Sequence, residues 1–150
     1  MLSSKAAFEN ARVVLKRLRA VQKNLDAIAV RRLRKLEARI ALAQGGEGPE
    51  LAASLEETLK SDPLDGDALM LLAQYYQRRN DSERAGLYYE RAEGIADFEV
   101  TARTRHAQLL VGLGRYSEAL PLLRRAQEIK PREDVARYLE QVERIARVRK

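Results

Sequence analysis

Apolar residues recur along the first part of the chain at steps of three and four, which is the spacing of one face of an α-helix. Residues 2–44 contain neither Gly nor Pro, and the face opposite the apolar stripe is rich in Arg and Lys. We therefore predict a long basic amphipathic helix over residues 1–44. Its apolar stripe consists of Phe8, Ala11, Leu15, Leu18, Val21, Leu25, Ile28, Leu33, Leu36 and Ile40.

The same segment has a second interpretation. Asn24-Leu25-Asp26 is a set of residues that could cap a new helix, and a helix start here would turn residues 1–44 into a helical hairpin. We prefer one long helix, or two nearly continuous ones. In either form the apolar stripe needs cover from the rest of the chain, from a second copy or from a foreign partner.

Residues 63–131 contain an internal repeat with a period of 34 residues. Pro63, Asp97 and Pro131 occupy equivalent places at this spacing. Each copy holds two amphipathic segments separated by a turn, and such a pair buries its apolar stripe only by stacking on another pair. The aligned residues are Ala73 with Ala107, Tyr76 with Leu110, Ala85 with Ala119, Tyr89 with Leu123 and Ala92 with Ala126.

This pattern resembles the tetratricopeptide repeat family, whose period is also 34 residues. In that family each unit has a helix A and a helix B, with large, small and aromatic residues at fixed places. In the second copy, Arg103 and His106 depart from the large apolar types of helix A. Matches in the first copy are Leu69, Leu72, Ala73, Tyr76, Ala85, Tyr89 and Ala92, and in the second Ala107, Gly114, Tyr116, Ala119, Leu123, Ala126 and Pro131.

The resemblance implies an all-α solenoid of helix-turn-helix units that winds as a right-handed superhelix. Its two units would be residues 64–97 and 98–131 within the repeat region 63–131. The Gly-rich stretch 45–49 is the strongest break signal. The segment 45–62, which begins with this stretch, would supply the helix that completes a degenerate repeat. Residues 132–150 would form a C-terminal capping helix with Val135, Tyr138, Leu139, Val142, Ile145 and Ala146 on its apolar face.

The charge is divided unevenly along the chain. The whole sequence has 28 Lys+Arg against 22 Asp+Glu, a net charge of +6. Residues 1–44 hold 11 basic and 3 acidic residues, which gives +8, and residues 45–150 hold 17 and 19, which gives −2. The basic character therefore belongs to the N-terminal segment, and the repeat region is close to neutral.

The composition restricts the chemistry. Without Cys and with one His, the chain excludes disulfides, cysteine nucleophiles and zinc sites built on thiolates or on several histidines. We interpret His106 as a structural residue and predict no catalytic residue, no metal, no cofactor and no enzymatic activity. No apolar run approaches the roughly 20 residues of a membrane helix, and no signal-peptide core follows Met1, so by default we expect a cytoplasmic protein.

A tetratricopeptide resemblance also implies a concave groove lined by the outward residues of the A helices. Family members that grip a C-terminal carboxylate use Lys, Asn and Arg at set places. Here Met70, Gln74 and Thr104 occupy those places and only Arg105 is basic, so we predict that this clamp is absent. The predicted groove residues are Asp67, Met70, Gln74, Gln77, Arg78, Thr101, Thr104, Arg105 and Gln108.

These features predict a non-catalytic scaffold or adaptor that binds a peptide or helix of a partner protein in the groove. Two alternatives rest on the N-terminal segment. Its basic face could bind nucleic acid or an anionic membrane surface, and its apolar stripe could join two copies in a homo-oligomer.

Overall fold

A computed structural model of the protein describes residues 2–20, 26–45 and 48–149, with side chains described for residues 6–19 in the first of these ranges. Within these ranges the chain forms eight α-helices and no β-strand, so the prediction of an all-α fold is confirmed. The helices are α1 Leu2–Ala20, α2 Ala27–Ala43, α3 Pro49–Ser61, α4 Gly66–Arg78, α5 Ser82–Glu93, α6 Glu99–Gly112, α7 Tyr116–Ile129 and α8 Glu133–Val148.

The helices group into two compact units, Met1–Leu71 and Leu72–Lys150, and the boundary falls inside α4. The right-handed superhelical path stays a prediction. Among the described helices, none combines the length and the apolar character that crossing a bilayer requires.

The first unit corrects the preferred form of the N-terminal segment. Residues 1–44 do not form one long helix, because the carboxylate of Asp26 caps a separate α2 by accepting the amide of Ala29 at 2.7 Å. Leu15 of α1 packs against Leu33 and Ile40 of α2, so the two helices lie side by side as a hairpin. Val21 and Leu25 of the predicted stripe lie outside the described residues.

An acidic turn, residues 62–67, holds the basic side of α2. Three of the five basic residues on α2, Arg31, Lys35 and Arg39, are spaced four apart, which places them in one row along the helix. Three Asp side chains of the turn reach this row, and part of the N-terminal charge is thereby neutralised within the first unit. The pairs are Arg31–Asp62 at 3.7 Å, Lys35–Asp65 at 3.1 Å, Lys35–Asp67 at 3.4 Å and Arg39–Asp67 at 2.8 Å.

In the second unit the repeated alanines lie in the core between the helices. Each of them is at most 1 % exposed, so no space remains for a larger side chain. Larger residues pack beside them, and Leu110 and Leu123 share one core cluster with Val135 and Val142 of α8. These alanines are Ala73, Ala85, Ala92, Ala107, Ala119 and Ala126.

The turns of the two copies also repeat. Asn80 and Gly114 lie 34 residues apart, and both have a left-handed backbone, with φ of 59° and 75°. Gly adopts this conformation without steric cost and Asn tolerates it better than most residues. The turn between helix A and helix B therefore contains a residue with a left-handed backbone at the same position in both copies.

The last helix, α8, lies against α7. Val135, Val142 and Ala146 are buried, whereas Ile145 of the predicted apolar face is 40 % exposed. The opposite face of α8 is polar and open to solvent, as a terminal helix of a repeat array requires. Its assignment as a cap stays a prediction, as does the degenerate repeat built from α2 and α3.

We predict that Asp65→Ala destabilises the protein by about 1–2 kcal/mol in urea unfolding. The carboxylate of Asp65 accepts the amide of Ala68 at 3.1 Å at the start of α4, and also the ammonium of Lys35. Asp65→Asn keeps the cap and removes only the charge, so it should cost less than Asp65→Ala. Equal losses for Ala and Asn would contradict a capping role.

Candidate functional site

The nine predicted groove residues fall in both units. Asp67 and Met70 belong to Met1–Leu71, and the other seven belong to Leu72–Lys150. Because the two units are separate bodies, we treat the seven as one surface, named here the A-helix face. The A-helix face consists of Gln74, Gln77, Arg78, Thr101, Thr104, Arg105 and Gln108.

The structure corrects the prediction at the two positions in the first unit. Met70 is only 7 % exposed, so its side chain belongs to the core rather than to an open groove. The Asp67 carboxylate is already bound by Lys35 and Arg39 of α2. Met70 is therefore held by packing, and the carboxylate of Asp67 is engaged by two ion pairs within the first unit.

On the A-helix face, five of the seven side chains are exposed: Gln77, Arg78, Thr101, Arg105 and Gln108. Gln74 and Thr104 are half-buried. The Thr104 hydroxyl donates to the Val100 carbonyl at 2.8 Å, so its hydrogen is used within α6. The face therefore presents mainly side-chain amides and two guanidinium groups.

One buried hydroxyl links helix B to helix A of the first repeat. Tyr89 on α5 is 1 % exposed, and its hydroxyl donates to the Gln77 side-chain oxygen at 2.8 Å. Burial raises the pKa of Tyr89 to about 12, and the nearby positive charge of Arg105 opposes that rise. The buried phenol thus joins α5 to Gln77 of α4.

Tyr89 was predicted only as a core residue, from its place in the repeat. The sequence analysis did not predict that the Tyr89 hydroxyl would bond to a residue of the A-helix face. A partner for this hydroxyl could have been expected, because a buried hydroxyl nearly always has a hydrogen-bond partner.

Comparison with known families decides how these helix pairs are related. The family model described as "Tetratricopeptide repeat" matches residues 66–97 and 100–133. The chain contains two tetratricopeptide repeats. The matched segments coincide with the pairs α4–α5 and α6–α7, and they agree closely with the predicted units 64–97 and 98–131. No curated protein matches the chain as a whole.

Tetratricopeptide repeats generally mediate contacts between proteins, usually as non-catalytic scaffolds. In such repeats the outward side chains of the A helices are the ones that a partner meets in the groove. The exposed amides and guanidinium groups of the A-helix face are suited to that role, because they offer both donors and acceptors to a partner backbone.

The repeat's departure at His106 has a structural explanation. His106 Nδ1 lies 2.7 Å from Glu93 Oε1, and its ring stacks near Tyr89 with centroids 6.1 Å apart. An ionised carboxylate only accepts hydrogen bonds, so this contact requires the proton on Nδ1. The arrangement agrees with the interpretation of His106 as a structural residue.

The second departure, Arg103, belongs to the same half-buried network. Arg103 lies 3.5 Å from Glu93 and 3.0 Å from Glu99. Glu99 also accepts from Arg125 of α7 at 3.4 Å. Arg103 and His106 thus share Glu93 of α5 as a partner, and Glu99 extends the network to α7. The sequence flagged the departures but not this network, because Glu93 and Arg125 come from other helices.

We predict a characteristic alkaline stability profile for Tyr89→Phe. The folded pKa of Tyr89, about 12, exceeds the ordinary value of about 10. The stability due to the neutral phenol is full below about pH 10 and is lost as pH rises toward about 12, by about 2–3 kcal/mol. At pH 7, Tyr89→Phe should be less stable than the wild type by about 1 kcal/mol, because the hydrogen bond to Gln77 is removed. It should not show the alkaline loss of stability, because Phe has no hydroxyl to ionise.

Chemical unfolding of the wild type and variants from pH 7 to pH values of about 12 measures this effect. Gln77→Ala is the matched control, because it removes the same hydrogen bond but keeps the phenol and its alkaline loss. Parallel profiles for the wild type and Tyr89→Phe would contradict the assignment.

Proposed function

We propose that the A-helix face binds an extended peptide or a helix of a partner protein, and that the chain acts as a non-catalytic scaffold or adaptor. Family membership supports the class of ligand, since tetratricopeptide repeats generally bind other proteins. The exposure of Gln77, Arg105 and Gln108 supports the location.

The observation that carries the proposal is the hydrogen bond from the buried Tyr89 hydroxyl to the exposed Gln77 side chain. The hydrogen bond fixes the Gln77 amide in position, which lowers the entropy that a ligand must overcome to order it. The Gln77 amide nitrogen keeps donors for a partner carbonyl. A fixed polar floor flanked by exposed side chains is suited to recognition of a peptide backbone.

The charge of this face indicates the ligand's chemistry. Arg78 and Arg105 are its two charged side chains, and the remaining five residues are uncharged. A segment with one or two carboxylates among polar residues is suited to this face, because the planar fork of an exposed Arg matches a carboxylate. Long acidic tracts would leave charges without a partner.

The alternatives that rest on the basic N-terminal segment receive less support as the main function. Arg31, Lys35 and Arg39 are engaged by the acidic turn, which lowers the charge that α2 offers to nucleic acid or a membrane. No aromatic side chain among the described residues of α1 and α2 other than Phe8 provides a stacking surface.

We predict that the double variant Arg78→Glu with Arg105→Glu loses partner capture while keeping the wild-type melting temperature. Both side chains are exposed, so charge reversal should change recognition far more than packing. The experiment is a pull-down from the source cell with the full chain as bait, followed by identification of the captured proteins and a binding titration of the main one.

The matched control is Arg137→Glu with Arg144→Glu on the exposed face of α8, which changes the net charge by the same amount. Capture lost with the A-helix variant and kept with the α8 variant supports the proposal. Capture kept by the A-helix variant, or lost equally by both, would overturn it.

A further inference from the structure

A cleft of about 460 Å³ runs between α1 and α2 in the first unit. Its floor is apolar, formed by Leu15, Ile40 and Ala41, and its α1 rim carries Arg12, Lys16 and Arg19. Leu15 and Ile40 come from the core of the hairpin, so the floor is held in place by packing. The cleft thus combines an apolar base with a row of cations.

The charge at the rim is only partly satisfied inside the molecule. Arg19 is paired with Glu37 by two hydrogen bonds of 2.6 and 2.8 Å. Arg12 reaches only Glu9, at 3.8 Å, with both side chains 61 % exposed. Lys16 forms no ion pair with any residue in the described ranges. Two cations therefore face this cleft with little or no internal compensation.

We propose that the α1–α2 cleft binds an acidic amphipathic helix of a partner protein. Apolar side chains on one face of such a helix would cover Leu15, Ile40 and Ala41. Carboxylates beside them would pair with Arg12 and Lys16. The row from Arg12 to Arg19 spans two helical turns, roughly 10 Å, so a partner helix of about three turns covers the cleft.

Other occupants of the cleft satisfy fewer of its features. A nucleic acid would find no aromatic side chain on which to stack its bases, because none of the lining residues is aromatic. A bilayer surface is too broad to enter a concave cleft between two helices. A second copy would bring another segment of net charge +8 against this one, and like charges repel.

This site is independent of the proposed function, because it lies in Met1–Leu71 and the A-helix face lies in Leu72–Lys150. Loss of binding at one surface is not expected to abolish binding at the other. The two proposals can therefore fail separately.

A designed peptide tests the inference without knowledge of the natural partner. The probe is a fluorescently labelled peptide of about 12 residues, roughly 18 Å as a helix, with Leu at helical spacing and Glu elsewhere. Two comparison peptides keep its length: one has Gln in place of Glu, and one has the same composition with the Leu pattern scrambled. Fluorescence anisotropy with the full chain measures their affinities at low and moderate salt.

The test variant is Arg12→Glu with Lys16→Glu, and the matched control is Arg17→Glu with Arg32→Glu. All four side chains are exposed, the change in net charge is the same, and Arg17 and Arg32 do not line the cleft. Ala41→Gln narrows the cleft floor without changing the charge. Circular dichroism and melting temperature establish that each variant is folded.

We expect the acidic amphipathic peptide to bind, and both comparison peptides to bind at least about tenfold more weakly. Arg12→Glu with Lys16→Glu and Ala41→Gln should each weaken binding by about tenfold or more, and the control pair by less than about threefold.

Equal loss for the two charge variants would overturn the proposal, because general electrostatic attraction would then explain the binding. So would the absence of binding, or tighter binding of a single-stranded oligonucleotide or of vesicles with anionic lipid. Self-association of the wild type that disappears in Arg12→Glu with Lys16→Glu would assign the cleft to a second copy instead.

Discussion

Close approach between paired helices is the constraint on which the rest of the second unit depends. The backbones of helix A and helix B can come together only where the side chain between them is small. Ala73 in the first repeat and Ala107 in the second meet this demand, and both are completely buried. Once the pairs are fixed at this distance, the outward side chains of α4 and α6 take defined places, and the polar network around His106 closes between helices.

The sequence predicts those features that depend on local spacing. Period-34 alanines, the two helix pairs and the turns at Asn80 and Gly114 all follow from residue type and helical periodicity. Features set by contacts between distant segments were not predicted. Asp67 was assigned to an open groove because its pairing with Lys35 and Arg39 joins residues about 30 positions apart, which no periodic pattern shows.

In the N-terminal segment, too, contacts between separate helices decided a feature that the local sequence pattern left open. Its apolar steps fit one continuous helix, and the alternative rested on a single capping residue, Asp26. The structure takes the capped alternative because Leu15 can then pack on Leu33 and Ile40, which a single straight helix cannot bring together. Half of the apolar stripe is covered in this way, while Leu18, Ile28 and Leu36 stay exposed.

The contacts in this arrangement show what much of the basic excess of residues 1–44 does. Part of the basic excess holds α2 to the acidic turn, part is neutralised between Arg19 and Glu37, and Arg12 and Lys16 are exposed on α1. The repeat unit is nearly neutral and presents amides with two arginines. The chain therefore offers two chemically different surfaces, one polar and one cationic with an apolar floor.

The most direct test of this account is the free energy of unfolding of Ala73→Leu and Ala107→Leu, with Ala53→Leu as the control at an exposed position of α3. If helix pairs meet at these alanines, each buried substitution should cost about 1–3 kcal/mol by overpacking, and the control should change stability by less than about 0.5 kcal/mol. Neutral results at both Ala73 and Ala107 would contradict the helix register on which the fold and the A-helix face depend.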